Sequence, residues 1–208
     1  MHSAIRRTSI AALCTAALVS ACSKSDNNAD SARLADSAAT AASSTPATDS
    51  ASAAPALTDA NIVALVDHAN MADSATGNVA STKGTNSEVK AFGRDMMRDH
   101  HALRQMGQDL AKKLNVTPQM PGGDSSTTRD KAWLDSLQSM PKGAAWDKAY
   151  IDHEVGAHQQ VLSTLHTGEN AAQNAELKSL ITKAIPTIEA HLKKAQDIQS
   201  KLQSAKTS

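Results

Sequence analysis

Cysteine, aromatic residues and long apolar runs are scarce in this chain of 208 residues. It has two cysteines, nine glycines and six prolines, and its aromatic residues are Phe92, Trp133, Trp146 and Tyr150. Because β-branched residues do not form the runs that strands need, the composition argues against an all-β or a dinucleotide-binding α/β fold. Twenty-one basic residues balance 21 acidic ones, so no nucleic-acid partner is expected.

Both cysteines lie near the amino terminus, in a segment that resembles an export signal. Arg6 and Arg7 precede an apolar stretch over residues 10–19. This stretch is about half of the ~20 residues that span a bilayer, which indicates a signal peptide rather than an anchor helix. The following Val19-Ser20-Ala21-Cys22 resembles the lipobox of bacterial lipoproteins, in which cleavage precedes the cysteine and its sulfur takes a diacylglycerol.

We therefore predict a lipoprotein signal peptide over residues 1–21 and lipidation of Cys22. With Cys14 discarded and Cys22 acylated, no thiol remains for a disulfide, a metal or a nucleophile. The acyl chains would hold the protein on a membrane, and Ser23 resembles the signal for the outer membrane. We expect an exported protein that is lipid-anchored to the outer membrane and faces the periplasm. The alternative is an ordinary signal peptide with a coincidental cysteine.

Residues 22–57 are predicted to form the lipidated start and a disordered tether. Between residues 23 and 57, 23 of 35 residues are alanine, serine or threonine. Such a segment buries too little apolar area to offset the entropy lost on ordering.

From Thr58 onward the apolar residues recur at helical spacings. The pattern predicts an all-α fold with long helices over 58–83, 86–114, 143–167 and 171–204, and a short helix over 129–140. Gly168 is expected to end the third long helix, and Pro186 to kink the fourth. Two helical hairpins with a long crossover that carries the short helix predict a ferritin-like antiparallel four-helix bundle over residues 58–204.

Three histidines extend the apolar faces of three predicted helices. His100 follows Met96 by four residues, His153 follows Tyr150 by three, and His191 follows Ile188 by three. All three lie near the middle of their helices, as does Asp73 on the first, so the four side chains are expected to meet in the core. By the same reasoning His101, His158 and His166 point away and are expected to be solvated. His68 has no assigned role.

Two interpretations of this cluster remain open. Three neutral imidazoles and a carboxylate suit a transition metal, namely zinc, copper or iron, with Asp99, Asp152 and Tyr150 as residues that orient the ligands. Alternatively, the same side chains satisfy one another in a metal-free hydrogen-bonded layer. No carboxylate stands three residues before these histidines, which argues against a di-iron site. No catalytic motif is present, so the sequence favours a protein without enzymatic activity.

An ordered set of motifs resembles the uncharacterised bacterial ferritin-like family called domain of unknown function 4142. The motifs are Glu88–Phe92, Met97–His100, Trp146–Tyr150, Asp152–Glu154, Ile185–Pro186 and Ala190–Leu192. Asp73 stands where the family usually has Glu, and Trp146 where it usually has Phe. The resemblance implies a common core that contains Asp99, His100, Asp147, Tyr150, His153, Pro186 and His191. It implies no activity.

Together these features predict an envelope lipoprotein that binds metal or protects against stress through a buried His/Asp cluster. The alternative function is a structural or protein-interaction module with a metal-free histidine core. A redox enzyme is disfavoured by the missing carboxylates.

Overall fold

The computed structural model describes residues 56–204, and all regular structure in that range is α-helical. The helices are α1 (Asp59–Lys83), α2 (Ser87–Leu114), α3 (Ser126–Ser139), α4 (Ala144–Ala171) and α5 (Ala175–Ser204). This confirms the all-α prediction for the described residues. The predicted signal peptide, Cys22 and nearly all of the tether lie in residues 1–55, outside that range. None of the helices described is long and apolar enough to cross a membrane.

Polar caps start α1 and α2 at the predicted positions. The Thr58 side chain accepts a hydrogen bond from the backbone N–H of Asn61, and the Asn61 side chain accepts one from the backbone N–H of Thr58. Asn86 caps α2 by accepting from the backbone N–H groups of Glu88 and Val89. These caps satisfy N–H groups that have no partner within the helix. The first two predicted helices are therefore confirmed to within one residue.

The prediction that Gly168 ends the third long helix was wrong. Helix α4 continues to Ala171, and Gly168 is buried inside it. A Cβ atom at Gly168 would lie 3.2 Å from Cγ2 of Ile62, so the glycine makes room for α1. Helix α5 starts later than predicted because the Asn174 side chain caps it, and it continues through Pro186. The short helix α3 starts three residues earlier than the predicted 129–140.

Each of the four long helices packs against two others. Helix α1 contacts α2 and α4, and α5 contacts the same two helices. Neighbours run in opposite directions: Glu88 pairs with Lys201, Asp95 with Lys194, and Lys113 with Glu176 between α2 and α5. Helix α3 packs on α1. The antiparallel arrangement brings the middle portions of the long helices to the same level.

Two apolar clusters fill the interior at different levels of the helices. One consists of Ala80, Val89, Phe92, Met96, Leu137, Trp146, Tyr150, Ile151, Ala195 and Ile198. The other consists of Ile62, Val63, Leu103, Ala111, Leu165, Leu177, Ile181, Ala184 and Ile188. Along α1, α2, α4 and α5, buried polar residues separate the two clusters: Asn70, Asp73, Thr76, His100, Glu154, His158 and His191. The candidate site lies in this polar layer.

Asp147, a residue of the family motifs, anchors the connection between α1 and α2. Its carboxylate is buried and accepts hydrogen bonds from the backbone N–H groups of Thr85, at 2.9 Å, and Asn86, at 2.8 Å. The Thr85 hydroxyl donates to it as well. One side chain on α4 thus provides hydrogen-bond acceptors for the turn between α1 and α2, which gives Asp147 a structural role.

Candidate metal centre

Three imidazole rings meet in the polar layer: His100 of α2, His158 of α4 and His191 of α5. Their exposed fractions are 1%, 0% and 5%. One ring nitrogen of each lies within 4.8 Å of one ring nitrogen of both others. The ring centroids are 5.1–5.6 Å apart. Helices from both hairpins therefore present nitrogen atoms to one point.

The hydrogen bonds of His100 fix the position of its proton. Nδ1 of His100 lies 2.8 Å from the side-chain oxygen of Asn70. The Asn70 amide nitrogen donates to the carbonyl oxygen of Val66 at 2.8 Å, which orients the amide oxygen towards His100. An amide oxygen only accepts hydrogen bonds, so Nδ1 carries the proton. In the neutral ring, Nε2 then has a free lone pair.

The other two rings are held in the same way. Nδ1 of His158 donates to the backbone carbonyl of Glu154 at 2.8 Å, and Nε2 of His158 has no hydrogen-bond partner among residues 56–204. Nε2 of His191 donates to the Asp99 carboxylate at 3.0 Å. The Arg98 guanidinium hydrogen-bonds that carboxylate and holds the pKa of Asp99 below its ordinary value. Nδ1 of His191 is therefore the nitrogen that faces the other two rings.

The ring nitrogens that these oxygens do not hold face one another. Nε2 of His100 and Nδ1 of His191 are 3.2 Å apart. Burial lowers the pKa of His158 to about 4 and that of His100 well below its ordinary value, so both rings are neutral near pH 7. Two facing lone pairs repel unless a proton or a cation lies between them. Ligands at 2.0–2.1 Å from a tetrahedral zinc ion stand about 3.3 Å apart, close to the observed separation.

The structure corrects the predicted membership of the cluster. It brings His100 and His191 together, as expected, but not His153. The His153 ring stacks on Trp133, with centroids 4.2 Å apart and planes at 22°. The prediction that His158 is solvated was wrong, since the side chain is fully buried. The physical reason is that α4 turns the face that contains Glu154 and His158 inward.

Asp73 lies beside the cluster but outside the nitrogen triad. Its Oδ2 atom is 3.6 Å from Nδ1 of His100, the nitrogen that faces away from the other two rings. Burial, and to a lesser degree the charge of Asp130, raises the pKa of Asp73 to about 7. Asp73 is therefore placed behind a ligand rather than at the point where the nitrogens meet.

The three residues predicted to orient the ligands have different positions. Asp99 holds His191, as expected. Asp152 instead pairs with Lys148 and accepts from Gln199 at 2.8 Å, away from the triad. Tyr150 is buried in a stack on Trp146, and burial, with Glu154 next to it, raises the pKa of its hydroxyl well above the ordinary value.

Glu154 is another buried residue that the sequence interpretation missed. Its side chain is fully buried, and Oε1 accepts from the Thr76 hydroxyl at 3.0 Å. Burial, with the nearby charge of Asp73, raises its pKa well above the ordinary value. The signal was present in the sequence: Tyr150, Glu154 and His158 are spaced by four residues and so share one helical face.

The fold and the site together define an all-helical domain with three imidazoles that converge in its interior. Residues 42–198 match the family described as Domain of unknown function (DUF4142), and the chain belongs to this family. No curated protein and no solved structure matches the chain.

Proposed function

We propose that this protein is an exported envelope lipoprotein whose ferritin-like four-helix bundle binds one divalent transition-metal ion. The ligands are Nε2 of His100, Nε2 of His158 and Nδ1 of His191. The convergence of these three nitrogens supports the proposal. In each ring the opposite nitrogen donates to an oxygen, an arrangement typical of metal-ligating histidines.

The donor set favours zinc or copper. Neutral imidazoles suit both ions, and three protein nitrogens with one further position is a common zinc arrangement. Asp99 adds a negative charge next to the His191 ring, which offsets part of the charge of a dication in the buried site. The antiparallel contacts among α1, α2, α4 and α5 support the bundle.

Metal titration of the mature chain, without a histidine tag and freed of metal by chelator, tests this function. We expect one Zn²⁺ or Cu²⁺ per chain. The His158→Gln variant should bind at least about a hundredfold more weakly, because it loses a ligand nitrogen and the loss of a ligand's hydrogen-bond partner alone costs about 10–100-fold. His153→Gln is the matched control on the same helix and should bind like the wild type.

Circular dichroism of each variant establishes that it is folded before titration. Absence of stoichiometric binding by the folded wild type would sink the proposal and assign the three rings to a hydrogen-bonded layer. Equal losses of metal affinity in His158→Gln and His153→Gln would contradict the assignment of His158 as a ligand.

The lipid anchor has its own test. The lipobox-like Val19-Ser20-Ala21-Cys22 supports attachment at Cys22. In a bacterial host that processes lipoproteins, we expect Cys22→Ala to move the protein from the membrane fraction to the soluble fraction, since the acyl chains are the proposed attachment. Retention of the variant in the membrane fraction after a salt wash would contradict this prediction.

A further inference from the structure

A cleft of about 640 Å³ opens among the helices next to the polar layer. Every helix contributes to its lining, and α1 and α4 contribute the most residues. Its volume falls within the range of about 300–1,000 Å³ that is typical of small-molecule sites. The three proposed metal ligands are not among its lining residues. The cleft therefore adjoins the candidate metal centre without including its ligands, since Asn70 and Asp73 line it and lie against His100.

Most of the cleft wall is apolar. The larger aliphatic side chains in the lining include Val63, Val66, Leu103, Val161, Leu165 and Ile181. Gly156, which is exposed and also lines the cleft, leaves open space beside it: a Cβ atom there would meet no atom within 4 Å. Protein interiors are normally close-packed, and side chains next to a void lose contacts on one side. An apolar molecule in the cleft would restore these contacts.

One wall residue is a carboxyl group that lacks a partner. Asp73 lines the cleft, its side chain is 9% exposed, and Oδ2 has no hydrogen-bond partner within residues 56–204. A buried acceptor without a donor is costly, so a native structure normally provides one. Oδ2 itself is closed off, so the donor of a ligand in the cleft would meet the exposed part of the same carboxyl group.

The charges around the cleft select the type of donor. Four aspartates line it, Asp73, Asp124, Asp130 and Asp152, of which Asp130 pairs with Arg129 and Asp152 with Lys148. Asp130 also binds Nε2 of His68 at 3.0 Å. The stacked rings of Trp133 and His153 add an aromatic surface to the lining. An acidic and aromatic surface favours organic cations over anions.

We propose that the cleft binds an organic ammonium ion with an apolar body, with its N–H donors at Asp73 and its body along the aliphatic wall. An ammonium group offers several donors and a positive charge, whereas a carboxylate would face Asp73 with a like charge. An alcohol of the same length offers one donor and no charge. Selectivity for the amine over both is therefore the signature of the site.

The test uses n-dodecylammonium below its micellar concentration, with dodecanoate and dodecanol as partners of equal chain length. Calorimetry on the mature chain in chelator should show one dodecylammonium per protein, at least tenfold tighter than dodecanoate. Tryptophan fluorescence should change on binding, because Trp133 lines the cleft. Repeating the titration with zinc present keeps this result separate from the proposed metal function.

Two variants locate the site. Gly156→Leu fills open space in the cleft and should weaken dodecylammonium at least tenfold, whereas Ala145→Leu, exposed on the same helix, should not. Asp73→Asn should lower the affinity for the amine tenfold and leave that for dodecanol unchanged. Binding that survives both Gly156→Leu and Asp73→Asn is surface association and overturns the proposal, as does equal affinity for dodecanoate.

Discussion

The Asp73→Asn variant is expected to gain stability relative to the wild type as the pH rises from 5 to 8. The pKa of Asp73 is raised in the folded protein to about 7, from an ordinary value of 3.8. The folded wild type thus binds more protons at Asp73 than the unfolded chain between these values. Wild-type stability therefore falls with rising pH through this window and levels off above it. Asparagine stays neutral and removes this loss.

The unfolding free energy of Asp73→Asn minus that of the wild type should increase by about 3 kcal/mol between pH 5 and pH 8, because one pKa unit corresponds to ~1.4 kcal/mol. Urea unfolding of both proteins in chelator at several pH values measures it. The other buried titratable groups are present in both chains, so the difference isolates Asp73 and its coupling to Glu154. Asp109→Asn, at an exposed position on α2, is the control. Parallel curves for Asp73→Asn and wild type would contradict the burial of an uncompensated carboxyl.

The Gly93→Ala variant is expected to lose about 3 kcal/mol of stability, because α1 and α2 approach closely at Gly93. A Cβ atom there would lie 2.7 Å from the carbonyl oxygen of Gly77 and 2.8 Å from the backbone nitrogen of Ser81. These are backbone atoms of α1, so the helices must separate to admit one methyl group. Alanine's higher helix propensity, worth about 1 kcal/mol, offsets only part of this cost.

Gly107→Ala is the matched control, since Gly107 lies on the same helix and a Cβ atom there would meet no atom within 4 Å. It should gain up to about 1 kcal/mol from helix propensity alone. Thermal or urea unfolding of the two variants gives the contrast. If both glycines respond alike, the close approach of α1 and α2 is not a determinant of stability.

The helices could be predicted from the sequence because their signals are local. Thr58 and Asn86 are strong N-caps, and the apolar periods on α2 and α5 are regular. Gly168 shows the limit of this reasoning. Glycine is a good helix terminator in general, but here it lies against Ile62 of α1, and a tertiary contact of this kind has no local signature.

The candidate site was predictable only on helices with an unambiguous apolar face. His100 and His191 extend such faces and were placed correctly. On α4 the buried face contains Asp147, Glu154 and His158, which polarity alone would assign to solvent. An interpretation that follows apolar residues therefore selects His153, one turn after Tyr150 on the wrong side. Polar residues that satisfy one another in the core are invisible until their partners on other helices are known.

The three imidazoles are divided unequally between the two helical hairpins. His100 belongs to the α1–α2 pair, while His158 and His191 belong to the α4–α5 pair, and residues 115–143, which contain only the short helix α3, connect the pairs. In the proposed centre, neither pair alone offers a full set of nitrogens. Ion capture and the docking of one half onto the other are then thermodynamically linked, and each strengthens the other by the same factor. A chain nicked in the 115–125 segment would consequently hold together better when loaded with the ion than when stripped of it.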